Sequence, residues 1–348
     1  MKSNVSNNSS DSCSSKIVVI GGGTGNYVAL KGLKQHTPDL TAIVAMTDSG
    51  GSSGRLRSDL GQLPPGDVRQ CLVALAPDNH SDLILRQLFD YRFDRGIGLE
   101  GHSFGNLFLA ALTEVSGSIA DAVLEAGRML QIKGRVLPVT LSKSDLHARL
   151  VDGTEVKGEA SIDVRKVKPG VQIDYVYLNP KAYVYPPVVE AIEEADVVVM
   201  GPGDLYTSII PNLLVEGVSE TIRKSRARLV HVCNLMTKPG ESDSFKASDF
   251  VKEILEYLGS GASIDCLLLN TTPLPSKVLK RYKRANAYPV EMDLEECSKL
   301  VSQILQKPML APGAPLRHDS DALARAIMEI ASESRTSVPE ANQPDPAG

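Results

Sequence analysis

The chain has only five cysteines in 348 residues, at 13, 71, 233, 266 and 297, with no Cys-x-x-Cys pair and no Cys/His cluster at zinc spacing. That excludes the common structural zinc sites, and the odd count argues for a reducing compartment rather than a disulfide framework. No apolar run approaches the roughly 20 residues a membrane helix needs, so membrane insertion is not expected. Basic residues do not predominate: the formal net charge is −5, so no long-range field gathers nucleic acid onto the whole surface. No Gly-Lys-Ser/Thr occurs, which excludes a P-loop NTPase. The first fifteen residues are rich in Ser and Asn and lack the apolar core of a signal peptide. Residues 1–15 and 332–348 are expected to be disordered tails around a single cytoplasmic domain at 16–331.

With 42% hydrophobic and 23% charged residues the chain can bury a sizeable core. Lys16 to Ile20 is a β-branched run followed at once by Gly21-Gly22-Gly23-Thr24-Gly25 and a helical pattern, which reads as strand, turn and helix. Thr41 to Met46 is a second buried strand, ending in a loop from Thr47 to Arg57. Helices are expected at Pro65–Ala76, Ser81–Tyr91, Phe104–Val115 and Ile119–Leu130. After a strand at Arg135–Leu141 the period changes to two, with Asp152-Gly153 as a hairpin turn between Leu146–Val151 and Thr154–Ile162. An antiparallel β-hairpin insertion is placed at about 142–178. Strands at Asp196–Met200, Arg228–Asn234 and Ile264–Asn270 then alternate with helices, at Pro211–Lys224 and Ala247–Leu258 among others, and helices close the chain. The fold class is α/β: a Rossmann-like, doubly wound, mostly parallel sheet with helices on both faces.

In such a sheet, ligands bind beyond the carboxyl ends of the strands, where helix N-termini offer free N–H groups. Four strand ends here carry loops of glycine, hydroxyl and amide residues, which suit a diphosphate ester with a polar tail. The candidates in the first loop are Gly22, Gly23, Thr24, Gly25 and Asn26, with close helix–strand packing as the rival reading. Asn26 also takes the place of the last glycine in the dinucleotide fingerprint. In the second, Asp48 can hold a ligand or cation, bond its own turn, or meet a ribose; Ser49, Gly50, Gly51 and Arg55 surround it. Asp67, with Arg69, opens a helix and is a site residue or merely an N-cap. His102 and Asn106 are read as pocket residues. Gly101-His102-Ser103-Phe104-Gly105 spells a hydrolase elbow, but the glycine-rich, polar residues before it are no strand, so the match is accidental. Later loops add Gly201, Gly203, Tyr206, Thr207 and Asn212, then Asn234 and Thr237. His147, His231 and His318 show no ligand spacing. Lys277, Lys280, Arg281, Lys283 and Arg284 read as a solvated helix face.

Six stretches occur in one order: Ile20 to Gly25, Thr47 to Arg57, Pro64 to Arg69, Gly101 to Asn106, Gly201 to Asn212 and Asn234 to Glu241. Together they closely resemble the gluconeogenesis-factor (YvcK-like) branch of the CofD-like, 2-phospho-L-lactate transferase family, from about Lys16 to Ile330. The resemblance implies a nucleotide site at the strand ends. In the gluconeogenesis branch it implies a protein needed for growth on gluconeogenic carbon sources and for cell shape and cell-wall synthesis, binding a UDP-sugar such as UDP-N-acetylglucosamine. In the transferase branch it implies Mg²⁺-dependent transfer of a phospholactyl or phosphoenolpyruvyl group from a guanosine diphosphate-linked donor to a deazaflavin. Asp48 and Asp67 would then be catalytic, and Asp48 a metal ligand. Two positions depart from the family pattern: Thr47 stands where a second acid is expected, and Asp204 where a serine is. The expected ligand is a nucleotide-sugar or nucleoside diphosphate, and self-association stays open.

Overall fold

The computed structural model describes residues 14–78, 83–166, 170–313 and 315–336. Of the expected tails, 1–13 and 337–348 lie outside the described residues. Ser14 Oγ hydrogen-bonds Thr37 Oγ1 at 2.6 Å, and the last helix, Ser320–Thr336, runs past 331.

Seven strands form one parallel sheet: β1 (Ile17–Gly21), β2 (Leu40–Val44), β3 (Arg135–Pro138), β7 (Val197–Met200), β8 (Arg228–Val232), β9 (Ile264–Asn270) and β10 (Val301–Lys307). The order across it is β10-β9-β8-β7-β1-β2-β3. Every residue of β1, β2 and β7 is buried, because helices cover both faces and leave no place for polar alternation. From β1 the chain winds outward one way through β2 and β3; from β7 it winds the other way to β10. β1 and β7 lie side by side, Ile20 opposite Met200, so the winding reverses between them and opens a crevice at their carboxyl ends.

The antiparallel excursion is a separate three-stranded sheet in the order β5-β4-β6, with β4 (Asp145–Leu150), β5 (Glu155–Lys157) and β6 (Ile173–Asn179). The Asp152-Gly153 turn forms as its residues dictate. Gly153 takes φ +84°, and Asp152 Oδ1 accepts the Thr154 amide at 2.9 Å.

Four readings are corrected. The segment from Gly51 is no loop but helix α2 (Gly51–Leu60), following α1 (Gly23–Leu33) and preceding α3 (Gly66–Leu75). Its glycine and serine are poor helix formers, and burial of Ser52, Ser53 and Leu56 overrides that. The strand expected over Thr154–Ile162 stops at Lys157, where Gly158 at φ +85° leads into a short helix, Glu159–Asp163. The helix expected over Pro211–Lys224 is two, Ile210–Leu213 and Val218–Lys224, parted at Gly217 with φ +102°. Helices alone do not close the chain: β10 pairs with β9 as an edge strand, its outer side half exposed and rich in Ser and Gln.

Candidate functional site

Glycine at the end of β1 is demanded first by packing. A Cβ on Gly25 would overlap the Pro202 carbonyl oxygen and stand 3.0 Å from Gly203 Cα; one on Gly23 would lie 2.7 Å from Asp67 Oδ1. Three chain segments therefore meet around the start of α1: the loop after β7, the first turn of α3, and α1 itself. Asp67 accepts a hydrogen bond from the Gly23 amide, and the amides of Thr24 and Gly25, also in the first turn, have no partner among the described residues. Beside them, Asp48 Oδ1 accepts the Gly50 amide at 2.9 Å, closing its own turn, while bare Gly66 lets its other oxygen approach.

Beyond β7, Leu205–Ile209 forms a π-helical turn in which Asp204 carbonyl accepts both the Ser208 and Ile209 amides. Such wide turns recur at functional sites. Asn212 donates to the carbonyls of Gly21 (3.3 Å) and Ser208 (2.8 Å), joining the ends of β1 and β7, and Asn234 Nδ2 donates to Gly203 carbonyl at 2.9 Å.

These loops enclose a cavity of about 460 Å³ at the switch point. Its first wall is Gly23, Thr24 and Gly25; the facing wall is Gly203, Asp204, Thr207 and Ser208. Asp48, Asp67, Glu159 and Asp163 also line it, as do Leu235, Met236, Tyr282, Leu316, Arg317 and His318. Among the described residues five carboxylates thus line the cavity, Asp204 being the fifth, with Arg317 as the cationic side chain. Burial, then the negative charge of Asp48, pushes Asp67 up to about 7 and Glu159 up to about 8. Burial holds His318 down to about 4, so its ring is neutral and bonds the Cys233 carbonyl.

A part-buried hub stiffens the rim. Lys238 Nζ meets Asp204 Oδ2 at 2.6 Å, Glu241 Oε1 at 2.8 Å and the carboxylate of Asp163 on the insertion. Burial disfavours its charge, but Glu241, Asp204 and Asp163 outweigh that and hold it protonated. Glu241, pushed by burial up to about 7, accepts the Tyr206 amide and Thr207 Oγ1. The carboxylate oxygens of Asp163, Asp204 and Glu241 lie within 4.8 Å of one another, a spacing that suits a cation, and the lysine is that cation.

The structure brings Gly23, Thr24, Gly25, Asp48, Asp67, Gly203, Thr207 and Asn234 to the cavity wall. Gly22 backs it, its Cα facing Ser208, and Gly201 turns the chain at φ +83°. Other candidates are engaged elsewhere. Asn26 is fully buried and bonds Ile43 carbonyl. Ser49 donates its amide to Glu159 and accepts the Ala160 amide, fastening the insertion, and Gly50 caps α2. Arg69 donates to Asn106 Oδ1, Phe89 carbonyl and Asp90; Asn106 also reaches Ser53, and His102 Nδ1 is hydrogen-bonded with Ser52 Oγ at 3.0 Å. Ser103 caps its helix by accepting the Asn106 amide. Tyr206 is buried, and Thr237 is bonded to Tyr288. Gly51 and Arg55 line a separate groove with Arg95 to Gly98. Glu159 and Asp163 were missed because they come from the insertion rather than a strand end, and His318 because nothing in its spacing links it to β8.

A parallel sheet with a cavity at its topological switch point places the chain in the Rossmann-like, doubly wound α/β class. Within that class the chain belongs to the 2-phospho-L-lactate transferase CofD family, whose pattern matches residues 17–310. It is 43% identical over 326 residues to the gluconeogenesis factor of Halalkalibacterium halodurans, covering 92% of this chain and 98% of that one. It is 39% identical over 320 residues to the gluconeogenesis factor of Bacillus subtilis, covering 91% and 98%. A crystal structure of a UPF0052 family member from Bacillus halodurans superposes with a TM-score of 0.84 at 42% identity, over 90% of this chain and 98% of that chain. Among the described residues no single helix is long and apolar enough to cross a membrane.

Proposed function

We propose that the switch-point cavity binds a nucleotide-sugar or nucleoside diphosphate, and that the chain serves in the cytoplasm as a gluconeogenesis factor linking carbon supply to cell shape and cell-wall synthesis. The observation that carries the reading is the pairing of free helix-start amides with a carboxylate-rich wall in one nucleotide-sized cavity. Lys238 already offsets Asp163 and Asp204, so the charge that opposes a diphosphate is that of Asp48 with the ionised fraction of Asp67 and Glu159, and a cation at that cluster removes the repulsion. The donor set fits one: hard carboxylate oxygens of Asp48 and Asp67 suit Mg²⁺, and burial makes a second charge beside Asp48 costly without a proton or metal. When bound, Mg²⁺ would supply charge neutralisation at the diphosphate. The Thr24 and Gly25 amides orient the phosphates, Asn234 fixes the loop after β7, and Tyr282 with Arg317 closes over the base or sugar.

Calorimetry with UDP-N-acetylglucosamine and GDP, with and without Mg²⁺, tests this. Saturable binding that weakens at least tenfold on metal removal supports it; no binding of either ligand refutes it.

One observation favours a second reading, a transferase acting on a nucleoside diphosphate-linked donor. Asp67 and Glu159 are held near neutrality in the cavity, where a carboxylate can take a proton from an attacking hydroxyl. That hydroxyl would attack phosphorus and the nucleoside monophosphate would leave. GMP release from a guanosine diphosphate-linked phospholactate donor with a deazaflavin acceptor would establish it; binding without release leaves the factor reading standing.

A further inference from the structure

The helix Ser276–Arg284 has no buried residue, and carries Lys277, Lys280, Arg281, Lys283 and Arg284 with no acidic residue among its nine. None of these five side chains has an ion-pair or hydrogen-bond partner among the described residues. Lys277, Lys280 or Arg281, and Arg284 follow at three- and four-residue steps, so they form a row about one helical turn, roughly 5 Å, apart. The half-buried side chains Val278, Leu279 and Tyr282 hold the opposite face, and Tyr282 Oη accepts the Leu316 amide at 3.1 Å where it lines the cavity. The row therefore points away from the cavity while the helix itself forms part of its wall.

We propose that this row is a docking surface for an acidic protein segment, beside the ligand cavity. Charge complementarity selects the occupant. The whole chain carries −5, and five of its basic residues sit on this one helix, so the remainder is twice as negative as the whole. A bilayer or a long nucleic acid presents its charge over an area wider than the helix and meets that negative remainder within the roughly 8 Å screening length. A narrow segment with a carboxylate at each helical turn meets the row alone. Among the nine residues of the helix none is an exposed aromatic side chain to stack on a base or a large exposed apolar one to enter a bilayer.

The test uses a fluorescein-labelled synthetic helical peptide with glutamate at every fourth position, a glutamine version of it, phosphatidylglycerol vesicles and a single-stranded oligonucleotide, each titrated with the full-length protein. The variant replaces Lys277, Lys280, Arg281 and Arg284 together by Gln. These are exposed positions, and a melting curve checks that it folds. Expected is salt-sensitive binding of the glutamate peptide that falls about tenfold or more in the variant, four exposed contacts being lost, with none for the glutamine peptide. Equal peptide binding by the variant overturns the proposal, as does tighter binding of vesicles or oligonucleotide than of the peptide.

Discussion

Replacing Gly25 by alanine puts one methyl group where α1 crosses the loop after β7. Its Cβ would overlap the Pro202 carbonyl oxygen, stand 2.6 Å from the carbonyl carbon and 3.0 Å from Gly203 Cα. Unstrained contacts need more than about 3 Å, so clearing the carbonyl oxygen makes the loop retreat by about 1.5 Å or more. Overpacking of this kind costs about 1–3 kcal/mol and sometimes more. At roughly 2.1 cal/mol/K of unfolding entropy per residue, 3 kcal/mol in a chain this long lowers Tm by about 4 °C. The retreat also carries Gly203 and Asp204 out of the cavity wall, so affinity for UDP-N-acetylglucosamine should fall by more than tenfold. Gly50→Ala is the control, since its Cβ meets nothing nearer than 3.5 Å. Calorimetric melting and ligand titration of both variants give the answer. A Gly25→Ala protein with unchanged Tm and affinity would mean that the loops after β1 and β7 do not meet, which would also remove the switch-point cavity between them.

The acid pair makes stability depend on pH. Asp67 and Glu159, raised by burial to about 7 and about 8, keep protons that the unfolded chain gives up near pH 4, so stability falls as pH rises through those values. Buried His231 and His318, held to about 4, act in the opposite sense below about pH 6.5, which leaves 6.5 to 8 as the clean window. Metal-free protein should lose Tm across that window and Mg²⁺ should remove the loss; a flat or rising profile contradicts the assignment. Lys238→Met leaves three carboxylates without their cation and should destabilise by about 1–2 kcal/mol, less than at a fully buried pair because Asp163 and Asp204 are partly exposed, with Mg²⁺ or Ca²⁺ restoring part of it, read by melting with and without metal. Unaltered stability would show the hub to be idle. Arg69→Ala should cost about 2–3 kcal/mol in urea unfolding, since the buried guanidinium bonds Asn106, Phe89 and Asp90, yet leave nucleotide affinity intact. Loss of affinity in a folded variant would return Arg69 to the site.

The parallel core was legible because β1 and β7 are unbroken β-branched runs, each followed by glycine, and only a sheet covered on both faces produces that pattern. β10 was not, since an edge strand alternates Ser and Gln with Ile and Leu and carries no such run. At the site, strand-end logic found Gly23 to Gly25, Asp48 and Gly203, whose neighbours in sequence announce the turn. It could not separate Asp67, in the cavity, from Arg69 two residues on, because one helical turn aims them at opposite neighbours. It also passed over Glu159, which the insertion delivers from more than a hundred residues beyond Ser49, the residue it bonds.

The central claim is that a phosphorylated ligand and its cation occupy the crevice between β1 and β7. A crystal structure with UDP-N-acetylglucosamine and Mn²⁺, read at the manganese edge, tests it most directly. The predicted result is an anomalous peak at the Asp48 and Asp67 carboxylates, with the diphosphate between Gly23–Gly25 and Gly203–Ser208. A ligand seated instead in the groove of Arg55 and Arg95, or a metal held only by Asp163 and Glu241, would contradict it.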